Sequence, residues 1–95
     1  MKGTVDNLRI RIRILDEAET ILRNLQGRID SLSDDIKKAQ NSKEEQESIM
    51  RTNQEESEEW KAAKRQLYWD ENEIEESTTR KQALEDLIKM IMDAL

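Results

Sequence analysis

Residues 8–15 read LRIRIRIL, and the fold turns on whether this stretch is a strand or a helix. Leu8, Ile10, Ile12 and Ile14 alternate with Arg9, Arg11 and Arg13. Alternation of that kind is the signature of a half-buried β-strand. A strand needs a partner strand, because an isolated one is not stable in water. The chain has no second alternating segment, so the pattern has to be accommodated in a helix. In a helix, Leu8, Ile12 and Leu15 stack on one side, while Ile10, Ile14 and Ile21 form an adjoining stripe. Such a helix is apolar around more than half its circumference. One neighbouring helix cannot cover that, so the excess points to a further contact surface.

Outward from this segment the apolar residues fall into heptads. Leu15, Leu22, Ile29 and Ile36 are seven apart, and Ala18, Leu25, Leu32 and Ala39 follow each by three. These are the a and d positions of a helix–helix seam. Run backwards, the frame places Leu8 at a, Ile12 at e, Ile14 and Ile21 at g, and Ile10 at c. A second frame starts at Trp60 and continues through Leu67, Ile74, Lys81, Ile88 and Leu95 at a. Its d positions are Ala63, Asp70, Ser77, Leu84 and Ile91, with Leu87 and Ala94 at g. The pattern is weak at Asp70, Ser77 and Lys81 and strong in LEDLIKMIMDAL, residues 84–95.

Between the frames, residues 40–59 hold only Ile49 and Met50 as large apolar groups. Two capping boxes compete there, Ser42-x-x-Glu45 and Thr52-x-x-Glu55. Pairing favours the second. With a reversal near Thr52, facing residue numbers sum to about 104. Leu8 then meets Leu95, Leu15 lies near Ile88 and Ile91, Leu22 meets Leu84, Ile29 meets Ile74, and Ile36 meets Leu67. That arrangement buries more apolar surface, at about 25 cal/mol per Å². The expectation is an all-α, antiparallel two-helix hairpin over residues 1–95, associating into a larger helical bundle. Helix 1 spans about 5–50, the turn about 51–55 and helix 2 about 56–95. The rival is one unbroken helix in a parallel coiled coil, a rod of about 135 Å. The change of heptad frame between Met50 and Trp60 counts against the rod, although a stutter could absorb it.

Composition agrees with long helices. Of 95 residues, 40% are charged and 3% aromatic, with no Pro, no Cys and two Gly. Too few bulky apolar groups are present for a compact globule, while Glu, Lys, Arg, Gln, Leu and Ile dominate as they do in coiled coils. The strong periodicity separates the chain from disordered segments of similar charge. The net charge is −6, with seven acidic against two basic residues in 40–59. A net acidic chain repels phosphate, so nucleic acid is excluded as the expected partner. The arginines of LRIRIRIL could touch an anionic surface, but Asp6, Asp16, Glu17 and Glu19 offset their field.

Chemistry-bearing groups are scarce. Without His or Cys, no Ser–His or Cys–His pair can form, and zinc loses its usual ligands. The carboxylates follow no calcium-loop spacing. They read as a solvated surface with helical ion pairs such as Glu76–Arg80. No catalytic, cofactor or metal residue is assigned, and a non-enzymatic binding role is expected. The candidate contact residues are Ile10, Ile14, Ile21, Leu87, Met90 and Met92, together with Trp60, Tyr68 and Trp69. Aromatic side chains dominate interface energies, and Met suits adaptable contacts. On this reading both termini build one apolar patch at the end away from the turn.

A hairpin of this length with a polar middle and an isolated Trp60 after the turn resembles the small helical proteins of type VII secretion. These are the WXG100-like hairpins and the helical partners of LXG-domain toxins. Trp60 and Tyr68, eight residues apart, are similar to the Trp and downstream aromatic of some LXG-associated proteins. Two positions depart from the pattern. Ala62 stands where the WXG glycine would be, and Asn72 stands where the Tyr-x-x-x-Asp/Glu export signature needs an acid. The resemblance implies an adaptor, chaperone or targeting partner that binds an LXG-type toxin side by side. The alternative is a structural homo-oligomer, either a coiled coil or a four-helix-bundle scaffold. The N-terminus has no uncharged apolar run, so no signal peptide is expected. No stretch nears the roughly 18 apolar residues of a membrane span. The chain is expected in the cytoplasm when made, and any secretion would use a route independent of a signal peptide.

Overall fold

The computed structural model describes residues 2–95, with side chains from Gly3 onward; Met1 lies outside the described residues. Two α-helices form an antiparallel hairpin: α1, Lys2–Thr52, and α2, Glu58–Ala94. The hairpin measures 81 × 15 × 13 Å. The length rules out the single rod, and LRIRIRIL is helical throughout.

Both heptad frames are the seam. Ala18, Leu25, Ile29 and Ala39 of α1 are buried, as are Ala63, Asp70 and Ser77 of α2. The larger seam residues, among them Leu22, Leu32, Ile36, Leu67, Leu84 and Ile88, are half-buried, because two helices cover only one side of each other. The α1 frame does not stop at Ala39. Lys43, Gln46, Met50 and Asn53 continue it at seam positions and are all half-buried. The polar stretch of one helix therefore meets the polar stretch of the other. Lys43 Nζ lies 3.9 Å from Glu71 Oε1.

The turn falls two residues later than the capping-box argument placed it. Thr52 does not start a helix. Its hydroxyl donates back to the carbonyls of Ser48 (3.0 Å) and Ile49 (3.3 Å), closing the last turn of α1. Asn53 donates from its backbone and its Nδ2 to the Ile49 carbonyl, at 3.1 and 2.8 Å. Two otherwise vacant donors thus converge on one helix-end carbonyl. Glu56 then takes φ 69°, and Ser57 N–H donates to the Gln54 carbonyl at 3.1 Å. Ser57 is the N-cap of α2: its Oγ accepts from Trp60 N–H at 3.3 Å. Glu58 and Glu59 fill the first turn, where carboxylates favour the helix dipole. Ser57-Glu58-Glu59 was the cap signal that the Thr52-x-x-Glu55 reading passed over.

The later turn moves the register. The cross-helix pair of Lys43 with Glu71 puts the sum of facing residue numbers at 114 rather than about 104. Leu84 therefore lies beside Gly27–Leu32 rather than opposite Leu22, and Ile74 beside Gln40 and Glu44 rather than Ile29. The expected meeting of Leu8 with Leu95 is lost. Since α1 has 51 residues and α2 has 37, α1 runs on for 14 residues, about 21 Å, beyond the end of α2.

Candidate interaction surface

The overhang of α1 carries the LRIRIRIL segment. Leu8 and Leu15, seam residues by heptad position, are 52% exposed in each case, and Ile12 is 58% exposed. The first buried residue is Ala18. The two termini thus do not close over one another as the sequence suggested. The C-terminal end of α2 stops short, and the apolar surface splits into the overhang and the hairpin's open end. Val5, Leu8, Ile12 and Leu15 join the exposed set, although the heptad assignment had Leu8 and Leu15 in the seam. The missing signal was the difference in helix length, which only the turn position reveals.

Of the candidate contact residues, Ile10, Ile14, Ile21, Leu87, Met90 and Met92 are all exposed and all lie toward the open end. They do not share one face. In the heptad frames, Ile14, Ile21 and Leu87 occupy g positions and Ile10 and Met90 occupy c, which lie on the same flank of the hairpin. Met92, at e, lies on the other flank. Eleven aliphatic or Met side chains are exposed, spread over the overhang and both flanks rather than gathered in one patch.

Trp60, Tyr68 and Trp69 form a separate place near the turn. Trp60 is half-buried, with Lys64 Nζ 5.1 Å from its ring centroid. Tyr68 and Trp69 are exposed and meet edge to face, ring centroids 6.0 Å apart at 75°. Glu56, Lys61 and Arg65 complete the lining of a shallow depression there. Met90 is about 30 Å further along α2 from Trp69, so the aromatic and aliphatic groups cannot act on one small ligand.

The charged surface differs in detail from expectation. Arg13–Glu17 (3.6 Å), Glu19–Arg23 and Lys81–Glu85 (3.9 Å) pair one turn apart. The expected Glu76–Arg80 pair is not formed. Arg80 borders a groove between the helices with Arg28, Leu32, Ala83 and Leu84, and also a shallow depression with Glu75 and Glu76. Neither Arg28 nor Arg80 lies within ion-pair distance of a carboxylate among the described residues. Also among them, no three acidic side chains cluster in a way that could hold a metal ion, and no helix is long and apolar enough to cross a membrane. No protein-family model, curated protein or solved structure matches this chain.

Proposed function

We propose that this chain is a non-enzymatic helical binding module, an adaptor that docks on and escorts a larger helical protein. One observation carries the reading: the N-terminal part of α1 presents Leu8, Ile10, Ile12 and Ile14 to solvent, each more than half exposed. Exposed aliphatic side chains concentrated within two helical turns support a docking role. An LXG-type toxin exported by type VII secretion is the partner class implied by the hairpin shape and by Trp60 standing three residues after the Ser57 cap. Ala62 and Asn72 remain departures from that family's motifs.

The test is co-expression with the product of the neighbouring gene, comparing the natural chain with the double variant Ile10→Gln/Ile14→Gln. Both side chains are exposed in the hairpin, so circular dichroism should stay nearly unchanged. Each isoleucine buried by a partner contributes about 1.5–3 kcal/mol, so the pair should weaken association at least a hundredfold. A monomer that captures no neighbour, or a double variant that loses helix content and binding together, would overturn the proposal.

A further inference from the structure

The a and d series of both helices repeat every heptad, so the seam can in principle close in more than one register. The contact of Lys43 with Glu71 fixes the register in use. It sets Lys43 across the seam from Asp70, the d residue beside Glu71. With the same offset Ile29 faces Leu84 and Leu22 faces Ile91. Sliding α2 by one heptad toward the N-terminus of α1, about 10 Å, gives the rival. Leu22 would then face Leu84, and Leu15 would face Ile91. The reversal would fall near Thr52, where the Thr52-x-x-Glu55 capping box could start α2. Leu15, 52% exposed as it stands, would be covered. On the pairing of large apolar residues alone, the shifted register is the better one.

The charges decide against it. In the shifted register Asp70 faces Ile36, and Lys43 faces Ala63, which is 2% exposed. Each charge would enter an apolar layer with no partner across the seam. In the observed register they share one layer. Gln66 donates to Asp70 Oδ1, while Oδ2 is buried without a partner, and Lys43 Nζ lies 3.9 Å from Glu71. The layer is thus poorly satisfied, and it is no source of stability. We propose that Lys43 and Asp70 are a register lock. They hold the hairpin in the alignment that leaves Leu15 uncovered, against the alignment that apolar burial favours. Specifying register at a cost in stability is the best-attested use of polar seam residues. Either charge alone still opposes the slide, so the two act together. The inference holds whether or not the chain is a binding module.

The chain has no cysteine, so two introduced ones carry spin labels at chosen points. Thr20→Cys and Arg65→Cys, both at exposed f positions, report the alignment of the helices, because the slide carries residue 65 toward residue 20. Pulsed electron spin resonance is recorded on labelled full-length chain diluted in unlabelled chain, so that only distances within one molecule are read. The natural seam should give a single distance. Lys43→Ala/Asp70→Ala should add a population about 10 Å shorter, raised about tenfold or more over the natural chain by removal of the two unpaired charges. The exchanged pair Lys43→Asp/Asp70→Lys should restore the single distance. An unshifted single distance in the alanine variant overturns the lock, as do two distances in the natural chain or a shifted population that the exchanged pair leaves in place. Loss of helicity in the alanine variant, read by circular dichroism, also overturns it, because the charges would then hold the hairpin together rather than choose its register.

Discussion

Asp70 is the residue the hairpin should be better without. It occupies a seam position, is 6% exposed, and sits where a coiled coil normally places an apolar side chain. Its Oδ1 accepts from Gln66 Nε2 at 3.0 Å, whereas Oδ2 is buried with no hydrogen-bond partner. An orphaned buried acceptor costs about 1–3 kcal/mol. Asp70→Ala removes that cost and gains about 0.5 kcal/mol of helix propensity. It loses the Gln66 bond, about 1 kcal/mol. Ala also suits the seam, whose other buried d residues on α2 are Ala63 and Ser77, where Leu would risk overpacking. The net expectation is a gain of about 1–2 kcal/mol. Urea unfolding followed by circular dichroism should show a higher midpoint at unchanged slope, and melting should rise by about 5–15 °C. Asp70→Asn, which keeps the shape and the Gln66 bond, should fall between. A loss above about 1 kcal/mol on Asp70→Ala would refute the reasoning. It would mean that the carboxylate is paired in solution, and Lys43, bonded to the adjacent Glu71, is the cation to test with Lys43→Met.

Three further changes probe the seam, the open flank and the turn. Leu25→Asp places an unpaired charge at a buried seam position and should abolish the cooperative unfolding transition, visible as lost helicity at 25 °C. Gly27→Ala should stabilise the hairpin by up to about 1 kcal/mol, read as a higher urea midpoint, since the added methyl meets open space and only helix propensity changes; a loss of stability would mean another backbone packs on Gly27. Glu56→Gly relieves a left-handed φ of 69° and should stabilise by up to about 1 kcal/mol, read by the same unfolding measurement.

The helices were legible because heptad spacing is a strong and redundant signal. Ala18, Leu25, Ile29, Ala39 and Ala63 all lie in the seam where their spacing puts them. The turn was harder, since neither Gly nor Pro marks it and three Ser/Thr–acid signatures lie within 16 residues. Choosing by buried apolar area favoured the register that hid every large residue, including Leu8 and Leu15. The chain instead aligns polar layer with polar layer, Lys43 against Glu71, and leaves those leucines uncovered. Buried apolar area alone therefore gives the wrong register. The Glu76–Arg80 pair fails for a different reason: spacing puts the two residues on one face of α2, but it does not bring their charged groups within ion-pair distance, although both line one shallow depression.

The alternation in LRIRIRIL follows from this geometry. A step of two residues turns a helix by about 200°, so successive apolar residues emerge on nearly opposite sides. Ile10 and Ile14 take the flank shared with Ile21 and Leu87. Leu8, Ile12 and Leu15 take the seam side of the helix, where each is more than half exposed. A surface helix gains nothing from apolar groups on two sides, whereas a helix held between neighbours requires them. Isolated helices of about 14 residues are marginal in water, so the overhang keeps its form by continuing α1 rather than by packing of its own. Covering both sides takes more than one neighbouring helix. Arg9 and Arg13, at b and f on the remaining arc, keep the uncovered side of the overhang in water.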